Sequence, residues 1–208
     1  MGASLLPDYF ASKVNLFIGL APVSTMTRTP KNYLVEAAKV GHLNSVVTKL
    51  VSKENYFNWF KPMPTIADSL ALFCSVNEQL CAEYYADVTA HDGVDNPDAM
   101  PNFIATWPSG STYRSFVYYA QTISSGAFAK YDFGPLKNER VYGTKTAPLI
   151  PLSDYKVPSV LLYGDMDALA DPADVKWLAS ELGENVVFMQ EYHLDHMSFA
   201  LAKDNSFF

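Results

Sequence analysis

Residues 157–199 read VPSVLLYGDMDALADPADVKWLASELGENVVFMQEYHLDHMSF, and this stretch decides the fold. An apolar run at 159–163 gives way to an acidic turn at 164–174 and then to an amphipathic helix. A second apolar run at 186–189 follows, and a loop carrying His193 closes the unit. Short apolar runs separated by one helix read as two neighbouring parallel strands with their crossover. The acidic turn and the histidine loop then leave the same edge of the sheet, where a carboxylate can orient an imidazole.

The rest of the chain fits a folded α/β protein. Of 208 residues, 49% are apolar and only 18% are charged, which argues against disorder. Aromatics make up 14%, with 13 Tyr and 13 Phe, enough for an apolar groove as well as a core. A net charge of −7 without any Lys/Arg cluster argues against a nucleic-acid partner. No run of 18 apolar residues occurs, so no transmembrane segment is expected. The apolar N-terminus is interrupted by Pro7, Asp8 and Lys13 and lacks the pattern of a signal peptide. Cys74 and Cys81 lie seven apart in a predicted helix, a spacing that favours two buried free thiols over a bridge.

Working outward, residues 2–12 read as the end of a helix and 14–23 (VNLFIGLAPV) as a strand covered on both faces. Helical periodicity runs from 30 to about 90, broken at 55–64 by an aromatic, proline-containing piece. Residues 91–110 read as loop, 112–124 as a helix closed by Gly126, and 128–151 as irregular. The expected organisation is a core of 1–23 and 151–208, with a helical cap and its return to the core at 24–150.

Four aspartates crowd the acidic turn. Asp171, before Pro172, reads as a helix N-cap, and Asp174 as a first-turn carboxylate that complements the helix dipole. A calcium loop counted from Asp165 fails, because Leu169 and Ala170 stand where an oxygen ligand and a glycine are needed. Asp167, three residues beyond Gly164, remains as the candidate acid. His193 is the candidate base, with His196 and Asp195 as rivals in the same loop. His193 and His196 also form an i,i+3 pair, but no third metal ligand is evident.

Five stretches now matter together: LAPV (20–23), SGAFAKYDFG (125–134), Asn138 with the YG pair at 142–143, VPSVLLYGDMDALADPADV (157–175) and YHLDHMSF (192–199). In that order they resemble the acid lipase family, the gastric, lingual and lysosomal α/β-hydrolases. The resemblance implies a partial α/β-hydrolase fold with an inserted helical cap. It also implies hydrolysis of a neutral lipid ester at a lipid–water interface by a Ser-Asp-His mechanism, without cofactor or metal, in a secreted or lysosomal protein. The family's catalytic acid falls on Asp167 and its catalytic histidine on His193. His196 stands where the family usually has phenylalanine. The family's nucleophile lies in a G-H-S-Q-G elbow upstream of the LAPV strand, and this chain has no G-x-S-x-G. The resemblance therefore makes the chain the C-terminal two-thirds of a lipase, inactive by itself. The alternative is a non-catalytic, lipase-like chain that binds lipid or a partner.

Overall fold

A computed structural model describes residues 1–28, 94–99, 102–103, 113–204 and 206. The helices expected between 30 and 90, with Cys74 and Cys81, lie outside the described residues, as does most of the expected cap.

Two short helices, α1 (Gly2–Leu5) and α2 (Pro7–Ala11), lead into strand β1 (Phe17–Leu20). Among the described residues, helix α3 (Tyr113–Ser125), helix α4 (Pro135–Tyr142), strand β2 (Ser159–Gly164) and helix α5 (Pro172–Leu182) come later in the chain. Strand β3 (Val186–Tyr192) and helix α6 (Ser198–Leu201) complete the order. Among the described residues the sheet is parallel, in the order β1-β2-β3, and flanked by helices, so the α/β reading holds.

β2 is central, and its side chains are buried nearly throughout, as a parallel strand covered on both faces requires. Leu161 is fully buried; Leu162, Tyr163, Ala170, Val175, Leu194 and Phe199 pack with it into the main core. α5 contributes because Val175, Leu178 and Leu182 recur at three- and four-residue steps and face inward. The helix starts as expected: Asp171 caps it by accepting from the Ala173 amide at 2.8 Å, with Pro172 in the first turn.

Asp174 does more than complement the dipole. It is 3% exposed and accepts from Thr25 Oγ1 (2.8 Å), the Arg28 amide (2.9 Å) and Arg28 Nη1 (3.0 Å). The carboxylate thereby ties the segment after β1 to α5. That segment turns sharply at Ala21, whose φ of 47° is left-handed for a residue with a Cβ. The Ala21 amide still donates to the Leu162 carbonyl at 2.8 Å, which holds the turn against the sheet.

Two expectations are corrected. β1 is not covered on both faces: Phe17, Ile18 and Leu20 are 46%, 56% and 40% exposed. And residues 128–151 are not irregular throughout, because α4 lies inside them. α4 is framed by Gly134 (φ 85°) and by a left-handed C-cap at Gly143 (φ 74°), with Pro135 in its first turn. Its fully buried Asn138 accepts from the Phe133 amide (2.9 Å) and donates to Asp132 Oδ1 (2.7 Å) and the Lys145 carbonyl (3.1 Å). One side chain thus closes the segment around the helix. The expected helix at 112–124 is present as α3, with Gly126 (φ 64°) donating to the Thr122 carbonyl at 2.9 Å.

Candidate active site

The parallel register sets Gly164, the last residue of β2, beside Tyr192, the last of β3. Beyond the strand ends the two chains stay joined by backbone bonds. The Asp165 amide donates to the Tyr192 carbonyl (2.9 Å) and the Met166 amide to the Leu194 carbonyl (3.2 Å). Only glycine fits at 164, because a Cβ there would fall on the Leu194 carbonyl oxygen and within 2.6 Å of its carbon. The acidic turn and the histidine loop are therefore one packed unit at the C-terminal edge of the sheet, the edge where open α/β sheets place ligands.

Two aspartate–histidine couples form on this unit. Asp167 is 3% exposed, and its Oδ1 accepts from the Leu169 (2.8 Å) and Ala170 (2.7 Å) amides. Those two bonds fix the carboxylate plane and present Oδ2 to His196 Nδ1 at 2.9 Å. The His196 side chain is 27% exposed, so the imidazole runs from a buried acid towards solvent. A carboxylate accepting at Nδ1 leaves the proton there and Nε2 bare, the tautomer a general base needs.

The second couple is looser. His193 Nδ1 lies 3.1 and 3.2 Å from the two Asp165 oxygens, with the two side chains 65% and 42% exposed. An exposed pair of this kind contributes about 0–1 kcal/mol. Both residues singled out by sequence thus sit on one unit, but with different partners: Asp167 holds His196, and His193 leans on Asp165. Sequence reasoning treated His196 only as a rival. The signal that could have promoted it is its place in the loop, where the resemblance leads one to expect phenylalanine.

Asp195, the other rival, is structural. Its Oδ1 accepts from the Met197 amide (2.9 Å), the Ser198 amide (3.0 Å) and Ser198 Oγ (2.9 Å), bracing the first turn of α6. Burial pushes its carboxyl up to about 6, with Asp95 adding to the rise and the Ser198 and Met197 bonds opposing it. Its folded pKa lies above the unfolded value, so the folded state binds more protons between about pH 4 and pH 6. Stability carried by the protonated form is then lost as pH rises through that window. Asp195→Asn is expected to retain the acceptor and to flatten this component, read as the wild-type-minus-variant difference in urea midpoint between pH 4 and 7.

Among the described residues, no cluster of three or more His, Cys, Asp or Glu side chains is placed to hold a metal ion. No described helix is long and apolar enough to cross a membrane.

Comparison with known proteins gives these motifs a setting. No family model matches the chain. Mouse lipase member K is 27% identical over 198 residues, which is 93% of this chain and 48% of the relative. Bovine gastric triacylglycerol lipase is 28% identical over 199 residues, again 93% and 48%. Triacylglycerol lipase 1 of Arabidopsis thaliana is 27% identical over 208 residues, 98% of this chain and 51% of the relative. Among solved structures, a thioesterase domain from the curacin biosynthetic pathway matches over 96% of this chain and 58% of its own, at 12% identity and a TM-score of 0.40. The chain spans about half the length of the curated relatives it matches, not the two-thirds expected. By sequence, the chain is similar to gastric triacylglycerol lipases and lipase K over 93% of its length.

Proposed function

We propose that the whole protein hydrolyses neutral lipid esters by a Ser-Asp-His mechanism, and that this chain carries its acid and its base. The observation that carries the reading is the Asp167 carboxylate, buried at the sheet's C-terminal edge and clamped on Oδ1 by two amides. So held, it leaves one oxygen for an imidazole. Lipases among the relatives supply the substrate class.

In this mechanism a serine attacks the ester carbonyl while His193 takes its proton and returns it to the leaving alcohol. Asp167 fixes the imidazole's tautomer and stabilises its cation. Water then attacks the acyl-enzyme with the same base. The proposed serine is supplied from outside these 208 residues. The sequence directly upstream of Met1 is therefore expected to encode a G-x-S-x-G between a strand and a helix.

Hydrolysis of a p-nitrophenyl ester by the whole protein is expected to fall on the order of 10²- to 10⁴-fold in His193→Ala, the usual weight of a general base. Undiminished turnover would remove His193 from the mechanism. The second reading is a non-catalytic chain that binds lipid or a partner; the missing G-x-S-x-G favours it. Ester turnover by the purified 208-residue chain, abolished by His193→Ala, would sink that reading.

A further inference from the structure

The acid that should serve His193 is occupied by another imidazole. Asp167 Oδ2 meets His196 Nδ1 at 2.9 Å, while His193 rests on the exposed Asp165 at 3.1 Å. We propose that His196 is a positioning residue that competes with His193 for the Asp167 carboxylate, so that the arrangement described here is the resting one. This rests on the reading of Asp167 and His193 as acid and base.

Three observations support it. The two carboxylates are two residues apart on one turn, the two imidazoles are three apart on one loop, and backbone bonds at Asp165–Tyr192 and Met166–Leu194 hold turn and loop together. Exchange therefore requires rearrangement of side chains and of residues 195–197, with the sheet edge intact. The couple His193 would leave is exposed, and such a pair contributes only about 0–1 kcal/mol. Asp167 itself cannot turn away to follow either imidazole, because Leu169 and Ala170 hold its other oxygen. The carboxylate is the fixed post and the imidazoles are the movable groups. A phenylalanine at 196 could not hydrogen-bond to Asp167 and would leave Oδ2 to His193.

The test is proton and nitrogen NMR of the imidazoles in the full 208-residue chain. In wild type, a slowly exchanging, low-field Nδ1 proton is expected on His196 and is lost in Asp167→Asn. In His196→Phe that signal is expected on His193 instead, lost again when Asp167→Asn is added but not when Asp165→Asn is added. If His193 in His196→Phe still responds only to Asp165→Asn, the competition is overturned.

Should His196→Phe fail to fold, Asp165→Asn on the exposed side gives the same information. Removing the Asp165 carboxylate from His193 is expected to broaden or split the His196 Nδ1 resonance as the two imidazoles exchange on Asp167. A sharp, unaltered resonance overturns the proposal. The NMR readout needs no turnover. Transfer without ester hydrolysis by the whole protein would uphold the competition and remove the hydrolase reading; hydrolysis without transfer would do the reverse.

Discussion

Asp167→Ala is expected to destabilise the folded chain by about 3–5 kcal/mol, because a buried carboxylate that accepts three hydrogen bonds is lost. Three donors lose their acceptor together: the amides of Leu169 and Ala170 and Nδ1 of His196. Each unsatisfied buried donor costs roughly 1–3 kcal/mol, and partial exposure of the His196 ring lets water recover some of it. A urea midpoint at neutral pH measures the loss. The same change at Asp165 is expected to stay within about 0.5 kcal/mol, because that carboxylate is 42% exposed and pairs with a solvated ring.

Asp167→Asn separates stability from chemistry. The amide oxygen can go on accepting from Leu169 and Ala170, so the turn survives at a cost of about 1–2 kcal/mol. Its NH2 then faces Nδ1, and the imidazole must present a bare Nδ1, moving its proton to Nε2. In a triad that tautomer cannot accept the serine proton, and the corresponding change in serine proteases lowers kcat roughly 10⁴-fold. Ester hydrolysis by the whole protein is expected to fall by a similar factor, with KM changing little. This outcome holds whichever imidazole is on Asp167 at the moment of reaction. Turnover within about tenfold of wild type would remove Asp167 from the catalytic role.

How much of this was legible in the sequence differs from element to element, for physical reasons. β2, α5 and β3 were readable because burial on both faces writes β2 as an unbroken apolar run, and because Asp171-Pro172 and Gly183 punctuate the helix. The buried place of Asp167 at the strand end could be suspected, because Asp171 and Asp174 were already explained by the start of the helix. α4 was not: it buries only Asn138, so no apolar stripe marks it, and its flanking glycines pass for turns. The exposure of β1 was not readable either, since an apolar strand at a sheet edge has the same composition as a covered one. The pairing within D-M-D and H-L-D-H was least accessible. Each segment offers two groups of the same kind, and the choice depends on loop paths that spacing does not encode.

Gly164→Ala bears on that unit as a whole, and its expected cost is about 3–5 kcal/mol. The added Cβ meets backbone: it would fall on the Leu194 carbonyl oxygen, 2.6 Å from the carbonyl carbon and 3.4 Å from the Asp195 amide nitrogen. A side-chain neighbour could rotate away, but a strand end hydrogen-bonded to its partner cannot. Overpacking of this kind costs about 1–3 kcal/mol, and parting the chains also weakens the Asp165–Tyr192 and Met166–Leu194 backbone bonds at about 1 kcal/mol each. Gly183→Ala is the matched comparison. Its φ of 56° with ψ of −128° is a conformation that glycine adopts and alanine resists, yet nothing lies within 4 Å of the new methyl, so about 1–3 kcal/mol is expected. Gly164 is thus required for space and Gly183 for backbone conformation. If the two variants lost equal stability, the close approach of β2 to the histidine loop would not be what holds the site. By parting turn and loop, Gly164→Ala is also expected to loosen both aspartate–histidine couples, because turn and loop carry one residue of each. Loss of the low-field His196 Nδ1 proton in a chain that still folds is the signature that checks it.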